Sequence, residues 1–461
     1  MNEPSRAAPD PSGPLGILSG GGRLPLDIAA AAVAAGRGAH IVAIEGFASP
    51  QVADFPHQWV NLGQLGRILA SLRRAGCRDL VIAGALQRPD LKKLRFDFGA
   101  LRRVLTLLRL TRGGDDSVLR RVVTFFEAEG FAVRGVGEVA PHLLAGAGSM
   151  GAAAPTAAHS AMIDRAARFI WAIGPFDVGQ AVVMTPAGVV AVEGVRGTDA
   201  MLRDLSGGGA GEGRGQGGVL VKFAKPTQEM RIDLPTIGPD TVSAVAAAGL
   251  AGLAVGAGSA VMIERHETLC RADAAGVFVV GADQRLAEQP ESGARLAQPL
   301  TLEEMMAWPV LSVVSRRAPT PADRRDIAVG RRLMPVLRAH GAGKAAVIVR
   351  EHVLAVAGAL PVDRVVAGLG RTPSWGRRTF QGQIGVLALD IADVTLDSTQ
   401  DLPTLEIFRA AMAAGLGGIV CLGGPIPEGM RADLIGWAKD AKIFLMAEEL
   451  PQPLADLSGD R

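Results

Sequence analysis

The 461-residue sequence predicts an α/β protein, and three observations lead there. Short apolar runs alternate with amphipathic stretches stopped by glycine, the pattern of parallel strands joined by helices. Aromatic residues make up 4% of the chain and tyrosine is absent, so Ala, Gly, Leu and Val must fill the interior, which suits close packing of helices on a sheet. A long central stretch recurs toward the end at a constant spacing, the mark of an internal repeat. Together these predict a Rossmann-like parallel-sheet N-terminal domain, an α/β C-terminal domain, and a degenerate repeat of the latter.

Residues 1–14 are Pro-rich with no apolar core, which predicts a disordered tail and not a signal peptide. Leu15 to Leu18 read as a strand running into Gly20-Gly21-Gly22. A helix from about Pro25 to Ala35 follows, closed by Gly36 or Gly38, and His40 to Ile44 form the next strand. A helix around Gly63 to Ala75 stops at Gly76 and gives way to the strand Leu80 to Ala83. Asp115 or Asp116 caps a helix with Leu119, Val122, Val123 and Phe126 on its apolar face, ended at Gly130. The first domain is thereby placed at 15–150.

The second domain is placed at 151–283. The run AAAPTAAHSAMIDRAARFIWAIG predicts a helix, and Ala181 to Met184 with Val189 to Val192 predict two strands about a turn. GTDAMLRDL begins another helix, Gly207 to Gly218 form a flexible loop by composition, and VLVKFAKP is a strand. Thr241 to Ile263 carry no charge over a length that would span a bilayer. Gly249 and Gly252 divide that run into a helix ending near Gly249 and a buried strand from Gly252 to Val255, so a soluble domain is expected. A polar, Pro-containing linker occupies 284–317. The repeat, 318–450, lies over the second domain at an offset of 164 from Pro155/Pro319 to Asp199/Asp363, and a tail of 451–461 ends the chain.

Composition narrows the function classes. The net charge is +2, with basic residues scattered and no aromatic platform among them, so no nucleic-acid partner is expected. Cys77, Cys270 and Cys421 lie far apart without a CxxC spacing and read as reduced buried residues, neither a disulfide frame nor a metal site. The seven histidines include no HxH or HExxH pair, which argues against a histidine-built metal centre.

Four stretches could carry chemistry. Gly20, Gly21 and Gly22 follow a strand and precede a helix, where backbone N–H groups can receive a phosphate. Glu45 at the end of the next strand could meet a ribose; a plain tight turn explains the glycines equally well. Glu193, Thr198 and Asp199 stand at a strand end and helix start, where carboxylates can converge on Mg2+, or cap the helix and face solvent. KPTQEMRIDLPTIG offers Lys225, Gln228 and Arg231 for a pyrophosphate and Asp233 for metal binding or water orientation. Its bland reading is a strand with ordinary surface charges and a capping aspartate. Asp177-Val178-Gly179-Gln180 could contact a base or sugar through Gln180, or be a loop with a self-bonded aspartate.

These pieces in this order resemble the LpxI-type UDP-2,3-diacylglucosamine pyrophosphatases. The matching text is LGILSGGGRLPLDIA, AGALQRPDL, GDDSVLRRVVTFFEAEGF, FDVGQAVVM, AVEGVRGTDAMLRD, KPTQEMRIDLPTIG and AAAGLAGLAVGAG, covering about residues 15–283. The resemblance implies a lipid nucleotide bound between two α/β domains and hydrolysed to UMP and 2,3-diacylglucosamine 1-phosphate. It also implies a divalent metal, expected as Mg2+, and work in the cytoplasm, peripherally on the inner membrane. The aspartate of DLPTIG, Asp233, carries over as catalytic. Glu193 and Asp199 join it as metal candidates from the residues alone. Leu101 to Leu110 offer a face for lipid, or an ordinary amphipathic helix.

The chain departs from this family in its last 180 or so residues. In the repeat Ala357 stands at the position of Glu193, Lys344 at that of Gln180 and Thr399 at that of Arg231, while Asp363 and Asp401 are kept and DLPTIG becomes DLPTLE. A second full active site is therefore not expected, and the repeat reads either as a pseudo-dimer partner within a monomeric chain or as a cover for the acyl chains. Two other classes remain at this point: an NAD-type enzyme using the glycine loop, and a lipid-nucleotide binding protein without turnover.

Overall fold

A computed structural model describes residues 13–85, 115–206, 217–226, 228–283, 311–315, 317–370, 383–392 and 403–448. The expectations for both tails, most of the linker, the glycine-rich loop, LRRVLTLLRL, Thr399 and Asp401 fall outside these residues. The chain forms two compact units that do not follow linear domain boundaries. One comprises Met1–Gly148, Thr227–Asp240 and Val255–Cys270; the other comprises Ser149–Pro226, Thr241–Ala254 and Arg271–Arg461.

In the first unit, β1 (Leu15–Ser19), β2 (Ala39–Ile44), β3 (His57–Val60), β4 (Asp79–Ala83) and β5 (Ala132–Val133) form a parallel sheet ordered β3-β2-β1-β4-β5. Side chains alternate across it with period two. Leu18, Val42, Ile44, Leu80 and Ile82 enter one core; Ile17, Ile41, Ala43, Val81 and Ala83 enter the other. Helix α1 (Leu24–Ala34) covers the second face with Ile28, Ala29 and Ala32. Helices α2 (Leu65–Arg74) and α3 (Asp115–Ala128) cover the first with Ile68, Leu69, Leu72, Val123 and Phe126. Both faces are thus buried, as a parallel sheet requires. Gly36, Gly76 and Gly130 end the three helices with φ of 77°, 74° and 92°, a conformation that favours glycine. A short helix α4 (Val136–Val139) follows β5.

The later segments of this unit are held by packing. Ile232 packs on one core, Leu234 and Ile263 on the other, and Val261 is buried within it. Two-residue strands β10 (Thr236–Ile237) and β12 (Val261–Met262) pair in parallel.

The second unit contains two six-stranded sheets. The first uses β6 (Gly148–Ser149), β7 (Ala181–Thr185), β8 (Gly188–Val192), β9 (Val219–Lys222), β11 (Gly252–Gly256) and β13 (Phe278–Ala282), ordered β6-β13-β11-β9-β7-β8. The second uses β14 (Leu311–Val313), β15 (Ala345–Val349), β16 (His352–Val356), β17 (Val386–Asp390), β18 (Gly418–Leu422) and β19 (Phe444–Glu448), ordered β14-β19-β18-β17-β15-β16. The two orders correspond strand for strand. Each sheet has an antiparallel hairpin with a register shift, between Val183 and Met184 in one and between Val347 and Ile348 in the other. Each also seats a phenylalanine ring where a glycine leaves room, Phe278 against Gly252 and Phe444 against Gly418.

Helices α5 (Ala157–Ile173) and α9 (Pro321–Ala339) both open on a threonine cap, Thr156 accepting from the His159 N–H and Thr320 from the Asp323 N–H. Their apolar faces share one core, in which Ile163, Phe169 and Ile170 join Leu333, Met334 and Leu337. The remaining helices are α6 (Gly197–Ser206), α7 (Pro239–Ala247), α8 (Arg265–Ala275), α10 (Val362–Leu369), α11 (Leu405–Ala414) and α12 (Glu428–Asp440). The uncharged Thr241 to Ile263 run divides as its glycines predict, into the end of α7 and into β11. Among the described residues no helix is long and apolar enough to cross a membrane.

Candidate functional site

The sequence-predicted residues fall into two groups, one per unit. Gly20, Gly21, Gly22, Gln228, Arg231 and Asp233 belong to the first; Gln180, Glu193, Thr198, Asp199 and Lys225 belong to the second.

The glycine loop lies at the carboxyl end of β1, at the point where strand order reverses and α/β sheets open a crevice. The Gly20 N–H donates to the Ala83 carbonyl at 2.9 Å, and Gly21 exchanges two bonds with Ala85 at 2.8 and 2.9 Å. A Cβ at Gly20 would stand 2.7 Å from the carbonyls of Gly84 and Ala85. These two glycines therefore serve the approach of one loop to another, and their N–H groups are engaged within the protein. Gly22, at φ 89° with open space around it, turns the chain into α1.

Asp27, in the first turn of α1, was not singled out by the sequence. Its Oδ1 accepts from Arg23 Nε at 3.1 Å, while Oδ2 is buried with no hydrogen-bond partner among the described residues. Burial raises its pKa above the ordinary carboxylate value, against the opposing pull of Arg23. An acid in the first turn after a glycine run was the available signal.

Asp233 sits at a corner between the anchors Ile232 and Leu234, which enter opposite cores of the first unit. Buried Gln228 donates through Nε2 to both the Asp233 carbonyl, at 2.7 Å, and its carboxylate Oδ2, at 2.8 Å. That amide fixes the carboxylate relative to its own backbone. Arg231 grips Glu229 with two bonds of 2.8 and 2.9 Å and reaches Glu127 on α3 at 2.7 Å. The pair acts on itself: hydrogen bonding to Glu229 raises the arginine's pKa, and the same bonds hold Glu229 below its ordinary value. Arg231 thus ties the 228–233 segment to α3, a role sequence spacing did not reveal because Glu127 is remote in the chain.

In the second unit, Glu193 is buried at the end of β8. Its Oε2 accepts from the Gln180 N–H at 2.8 Å and its Oε1 from the Thr198 hydroxyl at 2.6 Å. The carboxylate therefore clamps the start of β7 to the start of α6. Gly179 is required beside it, since a Cβ there would fall 2.3 Å from the Glu193 carbonyl. Asp199 is exposed on the first turn of α6. Lys225 bonds Asp177 at 2.5 Å, with Asp177 in the left-handed region at φ 52°.

Among the described residues no three His, Cys, Asp or Glu side chains converge as a metal-holding group. Mg2+ commonly takes one or two carboxylates and completes its shell with water and phosphate oxygens. Asp233 suits such a role. Glu193 accepts one protein donor on each oxygen and keeps a further lone pair on each, so it too remains a metal candidate.

Comparison with known proteins adds family information to this geometry. Residues 14–143 match the LpxI N-terminal domain and residues 146–280 the LpxI C-terminal domain. The chain is 40% identical over 272 residues to the UDP-2,3-diacylglucosamine pyrophosphatase LpxI of Caulobacter vibrioides, covering 58% of this chain and 97% of that relative.

Proposed function

Because the chain belongs to the LpxI family, we propose that it hydrolyses the pyrophosphate of UDP-2,3-diacylglucosamine to UMP and 2,3-diacylglucosamine 1-phosphate in lipid A synthesis. The observation that carries this reading is the match of both family domains in order, with the Asp233 segment inside the second. Asp233 is the catalytic carboxylate, with Gln228 as the positioning residue that holds it. Mg2+, held by Asp233 and the substrate's phosphate oxygens, would supply charge neutralisation on the pyrophosphate. Lys225, which bonds Asp177, and Thr198 and Gln180, which stand on the loops that Glu193 clamps together, are the substrate-binding candidates of the second unit. A substrate with two acyl chains is met at a bilayer surface, so the enzyme acts in the cytoplasm, peripherally on the inner membrane.

Residues 318–448 are read as a second copy of the C-terminal domain that has lost its chemistry. The matched strand order, the two hairpin register shifts and the two Phe-on-Gly contacts support this reading. Ala357 in place of Glu193 and Val362 in place of Thr198 remove the carboxylate and the hydroxyl of the clamp that orders the first copy's loops.

The test is UMP release from UDP-2,3-diacylglucosamine with and without Mg2+, for wild type and Asp233→Asn. Metal-dependent release by wild type and its loss in a folded Asp233→Asn are expected. No release from folded wild type with several divalent metals would overturn the reading.

A further inference from the structure

Strands β8 and β16 are the outermost strands of their sheets. An exposed strand edge offers unpaired N–H and C=O groups and has to be covered. Here each edge is covered by the turn that follows the other. The Ala359 N–H donates to the Val190 carbonyl of β8 at 2.8 Å, and the Val195 N–H donates to the Leu354 carbonyl of β16 at 3.0 Å.

These two bonds are related by the repeat: Ala359 corresponds to Val195 and Leu354 to Val190 at the same offset of 164. The close contacts repeat it. A Cβ at Gly194 would stand 2.6 Å from the Leu354 carbonyl and 3.4 Å from the Ala355 Cα; one at Gly358 would stand 2.4 Å from the Val190 carbonyl and 3.3 Å from the Ala191 Cα. Val190, Ala191 and Leu354 are buried there, at 5%, 1% and 8% exposure, and Ala355 is almost as covered. Such reciprocity, in which surface i meets j and j meets i, is what a two-fold dimer interface shows.

We propose that the second copy occupies the place of another subunit, so that one chain contains an isologous dimer contact. The β8 edge with the 193–197 turn is a self-complementary surface whose fitting partner is a further copy of the same module. The inference rests on the reading of residues 318–448 as a second copy. A consequence for the first copy is that the Val195–Leu354 bond holds the turn between Glu193 and Thr198, which is the stretch Glu193 clamps from within.

The test reads mass, so its outcome is independent of the proposed reaction. Full-length wild type is expected to sediment as a single chain at all concentrations. Gly358→Val blocks the second copy's turn while leaving the first copy's edge intact, and is expected to give concentration-dependent dimers. Gly194→Val/Gly358→Val blocks both halves and is expected to return to one chain. A wild-type dimer, or a folded Gly358→Val chain that stays monomeric, would overturn the proposal. Gly358 lies at φ 58°, so the substitution also strains the backbone. If that variant does not fold, hydrogen exchange on wild type decides the question. Joint protection of the Val195 and Ala359 amides supports the contact, and free-peptide exchange at either one overturns it.

Discussion

Replacing Gln228 by leucine keeps most of the side-chain volume and removes the donor that fixes Asp233. Gln228 is 7% exposed, and its amide makes two bonds, 2.8 Å to the Asp233 carboxylate and 2.7 Å to the Asp233 carbonyl. A hydrogen bond to a charged group contributes about 1.5–3 kcal/mol and a neutral one about 0.5–1.5 kcal/mol. The substitution should therefore cost about 2–4 kcal/mol, concentrated in the 228–237 segment. If Asp233 must keep its orientation through the transition state, the charged bond alone corresponds to a roughly ten- to hundredfold loss in kcat, at about 1.4 kcal/mol per factor of ten. KM should change little, because the lost contact is to Asp233 and not to substrate. The assay is steady-state UMP release, with circular dichroism to show that the variant is folded. A folded Gln228→Leu enzyme with unchanged kcat, or one whose loss falls on KM, would refute the positioning role.

Two further outcomes follow from the ion pairs and buried acids. Arg231→Met removes the bonds to Glu229 and Glu127, and urea unfolding should show a loss of about 1–3 kcal/mol with a smaller fall in kcat than Gln228→Leu produces. A greater fall in kcat than in Gln228→Leu, without a stability loss, would instead place Arg231 on the substrate. Asp326, buried and accepting from the N–H groups of Arg350 and Glu351, is pushed up from 3.8 to about 6 by burial. The folded state then binds this proton more tightly than the unfolded state, so its contribution falls as pH rises from about 4 to about 6 and is flat above. Asp326→Asn should remove that slope, read as the difference between wild-type and variant urea midpoints across the same pH range. Parallel midpoint curves would show that the acid does not titrate there.

Much of this molecule's local structure was legible in its residues because local structure depends on near neighbours. The apolar runs at Leu15, His40, Leu80, Ala181 and Val189 became strands, and Gly36, Gly76 and Gly130 ended helices through a positive φ that other residues resist. The glycines inside Thr241 to Ile263 divided that run into α7 and β11, as their position dictates. The hairpin register shifts and the threonine caps also lie 164 residues apart, since similar local sequences form similar turns. Strands β3, β5, β10 and β12 were not anticipated: they are too short, or too dependent on partners, to show a period of their own.

The partners of the polar groups were decided by tertiary structure alone. Arg231 finds Glu127 across 104 residues, and no spacing rule connects them. Glu193 accepts a donor on each oxygen because the hairpin and α6 bring Gln180 and Thr198 to it. The glycine loop engages its N–H groups on Ala83 and Ala85 because β1 and β4 lie side by side, although β2 and β3 come between them in the chain. The division of KPTQEMRIDLPTIG between two compact units likewise follows from Ile232 and Leu234, whose burial depends on the two cores they reach. Sequence fixes which residues favour a strand, a cap or a turn; long-range packing alone selects which donor meets which acceptor, because that choice depends on distances the chain acquires only when folded.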